Sequence, residues 1–218
     1  MSELRVALTF DAEHPDRPAP SGVAERVIAA VADLELSATF FVQGRWAEAY
    51  PDTAGQIAAS GHLVGSHSHY HARMHLLSDA GLAADIRAAE DVIRELMGVD
   101  PRPWFRCPFG AASDDPRVID ALAEAGYRNV GWHVKADDWE PRSVVDVEED
   151  VAGGALRHGD GAVVLLHTWP ERTLGALPGI ARRLRAAGAT FVRIDALPDL
   201  PTLPDWLQPR AAEPMPGP

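Results

Sequence analysis

Seven short runs of β-forming residues alternate with amphipathic helical patterns along this chain, and that alternation constrains its fold more than any other feature. The runs cover residues 5–10, 39–42, 62–66, 104–106, 129–134, 162–167 and 190–194. Strands separated by helices pair in parallel through βαβ units. Val163-Val164-Leu165-Leu166 is continuously apolar, as expected of a strand covered on both faces. Leu82, Ile86, Ala89, Ile93 and Leu96 recur at helical spacing between Ser78 and Gly98, a capping residue and a terminating glycine. Val23, Val27, Val31 and Leu34 repeat the pattern after Ser21, and Leu177, Ile180, Leu184 and Ala187 repeat it before Gly188. The class is α/β. A distorted β/α barrel and an open doubly wound sheet both fit. Asp-Ala-Glu-His-Pro-Asp follows Phe10, with no glycine-rich phosphate fingerprint, which counts against a dinucleotide fold.

At 218 residues the chain fits one large domain. We expect a catalytic domain over residues 1–197 and a tail over 198–218. The tail holds seven prolines and is expected to lie on the surface or be disordered. A net charge of −12 argues against nucleic acid or an anionic membrane as partner, since phosphate binding needs local positive charge. No apolar run approaches the ~18 residues of a membrane helix. The single cysteine, Cys107, excludes an intrachain disulfide. Residues 1–10 lack a secretory pattern, and the expected location is the cytoplasm.

The polar residues that stand out share one position. Asp11 follows the first run, His67 the third, Arg106 ends the fourth, Asp138 lies past the fifth, and His167 ends the sixth. In a barrel these ends lie on one rim, where active sites are built. His67 and His71 are four apart, a spacing that aligns two imidazoles if the chain turns helical there; zinc takes such neutral nitrogens. A histidine-rich surface loop explains the spacing equally well, because His69 and His75 lie close by. Asp11 suits a general base or a turn residue. His167 suits a general acid, since imidazole titrates near neutrality, or a core histidine bonded to a carbonyl. Arg106 beside Asp11 would hold that carboxylate ionised.

The ordered set Thr9-Phe-Asp11, His67-Ser-x-x-His71, Arg106-x-Pro-Phe109, Asp138-Trp139 and Leu165-Leu-His167 resembles the polysaccharide deacetylases, carbohydrate esterase family four, over residues 5–195. The resemblance implies a distorted, incomplete (β/α) barrel of about seven parallel strands. It implies a hydrolase that removes acetyl groups from N- or O-acetylated carbohydrate such as peptidoglycan or chitin-type N-acetylglucosamine. A divalent metal is implied, zinc first, with cobalt, nickel or manganese as alternatives. Asp11 takes the place of the catalytic base and Arg106 of the residue that orients it. His67 and His71 take the places of metal ligands, and Ser68 orders the loop between them. His167 takes the place of the general acid, with Asp138 raising its pKa. Phe109, where the family usually has tyrosine, would lend its N–H to the oxyanion. Trp139 and Leu165 would wall a pocket for the acetyl methyl.

The match departs from the family at Ala12, where a second, metal-binding aspartate is usual. Glu13 as third ligand, a weaker site of two histidines and water, and loss of the metal are the arrangements left open, with His14 in the ligand's place a remote fourth. Lys135 stands where the family often has aspartate. Cys107 reads as a small buried residue. His62, His69, His133 and His158, with His75, read as structural or solvent-facing. Trp46 and Trp169 suit sugar stacking or helix–sheet packing. Two rival functions remain: a metal-poor amidohydrolase acting on a small amide, and a catalytically silent carbohydrate-binding protein.

Overall fold

The computed structural model describes residues 3–16 and 20–207. Eight strands form one parallel sheet: β1 Leu4–Ala12, β2 Ala38–Val42, β3 Leu63–Ser66, β4 Trp104–Phe105, β5 Arg128–Asn129, β6 Val134–Lys135, β7 Ala162–His167 and β8 Ala189–Phe191. Their order is β5-β4-β3-β2-β1-β7-β6, with β8 paired to the start of β1. This is the partial barrel that the sequence resemblance implies. The run at 129–134, expected as one strand, is divided. Residues 130–133 leave the ladder at Phe105, whose carbonyl accepts from Val130 N at 2.7 Å, and rejoin it at Val163, whose carbonyl accepts from His133 N at 2.9 Å. The link therefore crosses between the two ends of the sheet, and no ladder joins β5 to β6 among the described residues.

Side chains along β1 alternate between two apolar layers, as strand geometry requires. Val6, Leu8, Phe10 and Ala12 pack outward, in the layer that holds Val27 and Val31 of α1 (Val23–Asp33) and Ile180 and Leu184 of α7 (Glu171–Ala186). Ala7 faces inward, with Phe41, Trp132, Val163 and Leu165. Fully burying such a side chain contributes about 1.5–3 kcal/mol, so both faces of the sheet are held. The helix expected between Ser78 and Gly98 is α4 (Asp79–Met97); Ser78 accepts from Gly81 N, and Gly98 ends it at φ 67°. α1 starts one residue later than Ser21 would place it, with Gly22 at its N-terminus. No helix among the described residues is long and apolar enough to cross a membrane.

The proline-rich segment is in contact with the domain as far as it is described. Pro201 O accepts from Gly131 N at 2.7 Å, Thr202 O from the Asn129 amide at 2.6 Å, and Asp205 from the Trp132 indole at 3.0 Å. Gly131 is required by this approach, because a Cβ there would lie 2.0 Å from Leu203 O. The remainder of the expected tail, residues 208–218, lies outside the described residues.

His133 proves structural. Its Nδ1 accepts from Val163 N at 3.1 Å, and its ring stacks on His158 at 3.8 Å. Burial, helped by the neighbouring His158, lowers its pKa from 6.5 to about 4. The unfolded chain thus takes up this proton first, and stability is lost as pH falls from 6.5 toward about 4. The melting temperature of wild type is expected to fall more steeply over that window than that of His133→Asn, which keeps an acceptor but cannot titrate. Equal slopes in thermal melts would remove His133 from the acid response.

Candidate active site

The five positions marked by the sequence lie on one rim. Asp11 is near the end of β1, His67 directly follows β3, Arg106 directly follows β4, Asp138 lies three residues past β6, and His167 ends β7. All are buried. Parallel strands deliver their C-terminal ends to the same side, so the sheet brings together residues up to 156 positions apart, such as Asp11 and His167.

Glu13 joins this group through strand periodicity. Residues two apart point to the same face, so Glu13 follows Asp11 inward while Ala12 packs outward in the core. Asp11 and Ala12 stay in register with Phe41 and Val42 of β2. Glu13 Oε2 lies 3.1 Å from His67 Nε2 and 2.5 Å from His71 Nε2, and the two ring nitrogens are 3.1 Å apart. His67 Nδ1 donates to Arg106 O at 2.9 Å, which leaves the lone pair of neutral His67 on Nε2, facing the cluster. The expected helical turn between the two histidines is absent. Residues 67–71 form a loop in which Ser68 and His71 take left-handed backbone conformations, φ 62° and 56°. Ser68 Oγ orders it by accepting from His71 N at 2.9 Å.

A carboxylate oxygen and two imidazole nitrogens thus converge on one point. These are acceptors that repel one another unless a proton or cation lies between them. Burial pushes the His71 imidazole down. At His67 burial acts the same way but is outweighed by Asp11 and Glu13, and its pKa rises. Burial would raise Glu13, yet hydrogen bonds from His14, His67 and His71 hold it well below the usual carboxylate range. The donor set, two neutral-capable nitrogens and one anionic oxygen, suits a divalent cation such as zinc. Asp11, Glu13 and His167 also bring one atom each into a common neighbourhood.

Arg106 anchors Asp11. The guanidinium is buried, and its Nη1 donates to Asp11 Oδ1 and to Thr9 Oγ1, both at 2.8 Å. Nε and Nη2 donate to the carbonyls of Val130 and Gly131, each at 3.1 Å. The cation lies 4.1 Å from the Phe41 ring centroid and 5.5 Å from that of Trp132. Burial lowers the Arg106 pKa, with Asp11 opposing. Asp11 Oδ2, left by the arginine, faces His67 Nε2 at 3.6 Å.

On the opposite side His167 Nδ1 meets Asp138 Oδ1 at 2.7 Å. Asp138 Oδ2 accepts from His167 N at 2.8 Å and Thr173 Oγ1 at 2.5 Å. Burial acts to lower the His167 pKa, but Asp138 outweighs it, with Glu13 and Asp11 assisting, and the pKa is pushed up to about 9. This shift favours the imidazolium at neutral pH; with Nδ1 held by Asp138, Nε2 lies 3.9 Å from Glu13 Oε1.

These groups open into a cleft of about 450 Å3, whose lining includes Phe109, Trp139 and Leu165. Phe109 has φ 61°, a costly left-handed conformation of the kind found at functional sites. Trp132, Trp169 and His14 line the same cleft. Trp132 is not marked for the cleft by the sequence, because it falls inside the 129–134 run; its position beside Gly131 is the one local signal. Lys135 is also in the lining and pairs with Asp137 at 3.2 Å. Trp46 is buried in the outer core, so it packs rather than meets a sugar. Cys107 is buried, and burial raises its thiol pKa to about 12, consistent with an inert core residue.

The polysaccharide deacetylase family model matches residues 1–130. The chain is 26% identical to a peptidoglycan-N-acetylglucosamine deacetylase of Bacillus cereus, over 90% of this chain and 69% of that protein. It is 28% identical to a chitooligosaccharide deacetylase of Azorhizobium caulinodans, over 86% of this chain and 91% of that protein. Its structure is similar to a family 4 carbohydrate esterase from Streptomyces lividans solved with acetate, with a TM-score of 0.76, 30% identity, and coverage of 86% and 91% of the two chains. Motif order, rim geometry and these relationships agree: this chain belongs to the polysaccharide deacetylase family.

Proposed function

We propose that this protein is a divalent-metal-dependent deacetylase that hydrolyses the acetamide of N-acetylated carbohydrate, with a peptidoglycan- or chitin-type N-acetylglucosamine unit as substrate. The carrying observation is the convergence of Glu13, His67 and His71 at 2.5–3.1 Å, with a carboxylate on one side and a carboxylate-held imidazole on the other. In this reading Glu13, His67 and His71 hold the cation, zinc first. When bound, it supplies Lewis-acid polarisation of the acetyl carbonyl and acidifies water at the site.

Asp11 acts as general base and takes a proton from the attacking water; Arg106 bonds its other oxygen and so aims it. The water oxygen bonds to the acetyl carbon. The Phe109 N–H stabilises the oxyanion that forms. His167, protonated and held by Asp138, gives its proton to the leaving nitrogen as the carbon–nitrogen bond breaks. Acetate and a free amine result. Leu165 and Trp139 enclose the methyl group, and the half-exposed Trp139 ring offers a face to the sugar.

Acetate release from chitooligosaccharides and from peptidoglycan fragments tests the reaction. Asp11→Asn is expected to lower kcat by about 100- to 10,000-fold, the range for losing a general base, and also to lower the melting temperature, because it removes the charge paired with the buried Arg106 guanidinium. His167→Ala is expected to lose a similar factor in kcat with little change in KM. Wild-type rates in both variants would overturn the assignment. Chelation is expected to abolish activity, and zinc or cobalt to restore it. Full activity in chelator on a small amide would support the metal-poor amidohydrolase instead.

A further inference from the structure

Replacing an aspartate ligand by a glutamate creates a physical problem. The glutamate side chain has one more rotatable bond and loses more rotamer freedom when fixed, and it can turn either oxygen, or both, toward a cation. Glu13 is nevertheless divided cleanly between two jobs. Oε2 faces His67 and His71. Oε1 faces away from them, toward His14 Nε2 at 3.0 Å and the Trp169 indole nitrogen at 3.4 Å.

We propose that His14, assisted by Trp169, is a positioning residue that clamps the outer oxygen of Glu13 and so makes Glu13 a one-oxygen ligand. The inference rests on the reading above that Glu13 belongs to the ligand set.

The backbone explains how a neighbour in sequence can do this. In an extended strand, adjacent side chains point to opposite faces. His14 escapes that rule by adopting a left-handed conformation, φ 57°, at a cost of about 1–3 kcal/mol for a non-glycine residue. The turn brings its ring to the side of Glu13. Gln43 holds it there: its side-chain oxygen accepts from His14 N at 2.9 Å, while its amide donates to His69 O at 3.3 Å. Gln43 is itself buried.

His14 also touches the second histidine of the cluster. The His71 Nδ1 atom is buried with no hydrogen-bond partner among the described residues. With Nε2 turned to Glu13, the rest of the ring is held by packing, edge to face between His14 at 4.3 Å and Phe109 at 4.4 Å. The same side chain thus aligns Glu13 through a hydrogen bond and His71 through contact. Such outer partners typically change metal affinity by about 10–100-fold.

The test is cation affinity of the full-length protein, measured by competition with a chromophoric chelator for zinc, together with the visible absorption band of bound cobalt. His14→Ala is expected to weaken affinity by about 10–100-fold and to dim the cobalt band, as a freed Glu13 raises the coordination number. The melting temperature of the metal-free protein reports any general structural damage separately. His14→Gln can still donate to Glu13 and is expected to recover most of the affinity and the band. His14→Phe keeps the contact with His71 but has no donor, and is expected to remain weak. Wild-type affinity and spectrum in His14→Ala would overturn the clamp, as would His14→Phe binding more tightly than His14→Gln. Glu13→Gln tests the underlying reading. Unchanged affinity there would show that Glu13 is no ligand, whatever His14 does. Loss in Glu13→Gln without loss in His14→Ala would defeat the clamp alone. With both readings correct, His14→Ala costs less affinity in the Glu13→Gln background than in wild type, because the part of its effect that runs through the Glu13 carboxylate is already lost.

Discussion

The buried guanidinium of Arg106 is the interaction on which the rest of this site depends. It bonds Asp11 and Thr9 of β1 and the carbonyls of Val130 and Gly131 in the link between β5 and β6. Desolvating such a charge costs several kcal/mol, and only near-complete hydrogen bonding with an opposite charge offsets it. Each of its partners is therefore constrained in turn. The Asp11 carboxylate has one oxygen committed and one directed to His67. The link at 130–131 must bend inward to present two carbonyls. The Arg106 main-chain carbonyl fixes the His67 tautomer. One residue thus sets the proposed base, a proposed ligand and the closure of the sheet's open side.

Around this anchor, proton donors and acceptors are kept in separate compartments. Asp11 is bounded by Arg106, whereas Asp138 is bounded by His167 and Thr173. The two carboxylates differ in their partners: one is paired with a guanidinium, and the other with an imidazole whose pKa it raises. Glu13 lies between them, 3.9 Å from His167 Nε2. Such separation of environments allows a base and an acid to coexist within one small cleft.

Much of this was legible in the sequence because it follows from periodicity. The α4 boundaries were marked by Ser78 and Gly98, and the shared rim by polar residues that end apolar runs. Three features were less legible. The β5–β6 interruption arises from tertiary demand, since Arg106 and Pro201 compete with the ladder for the backbone of 130–131. The 67–71 loop takes left-handed conformations at Ser68 and His71, and no local propensity of serine or histidine announces them. Glu13 was readable in principle, since period-two alternation alone puts it beside Asp11. What the alternation could not give is the hold on its outer oxygen, which requires a turned backbone at His14 and a tryptophan 156 residues away.

The outward direction of Ala12 limits where this strand can carry its acidic residue. Reinstating the adjacent-aspartate arrangement would not follow from Ala12→Asp alone, because that carboxylate would enter the layer between sheet and helices and remain unpaired there. Removing Glu13 first would leave the histidine pair without its anionic partner. Each single step between the two arrangements passes through a compromised protein. The position of the acidic residue is therefore maintained by the core on one side of the strand as much as by chemistry on the other.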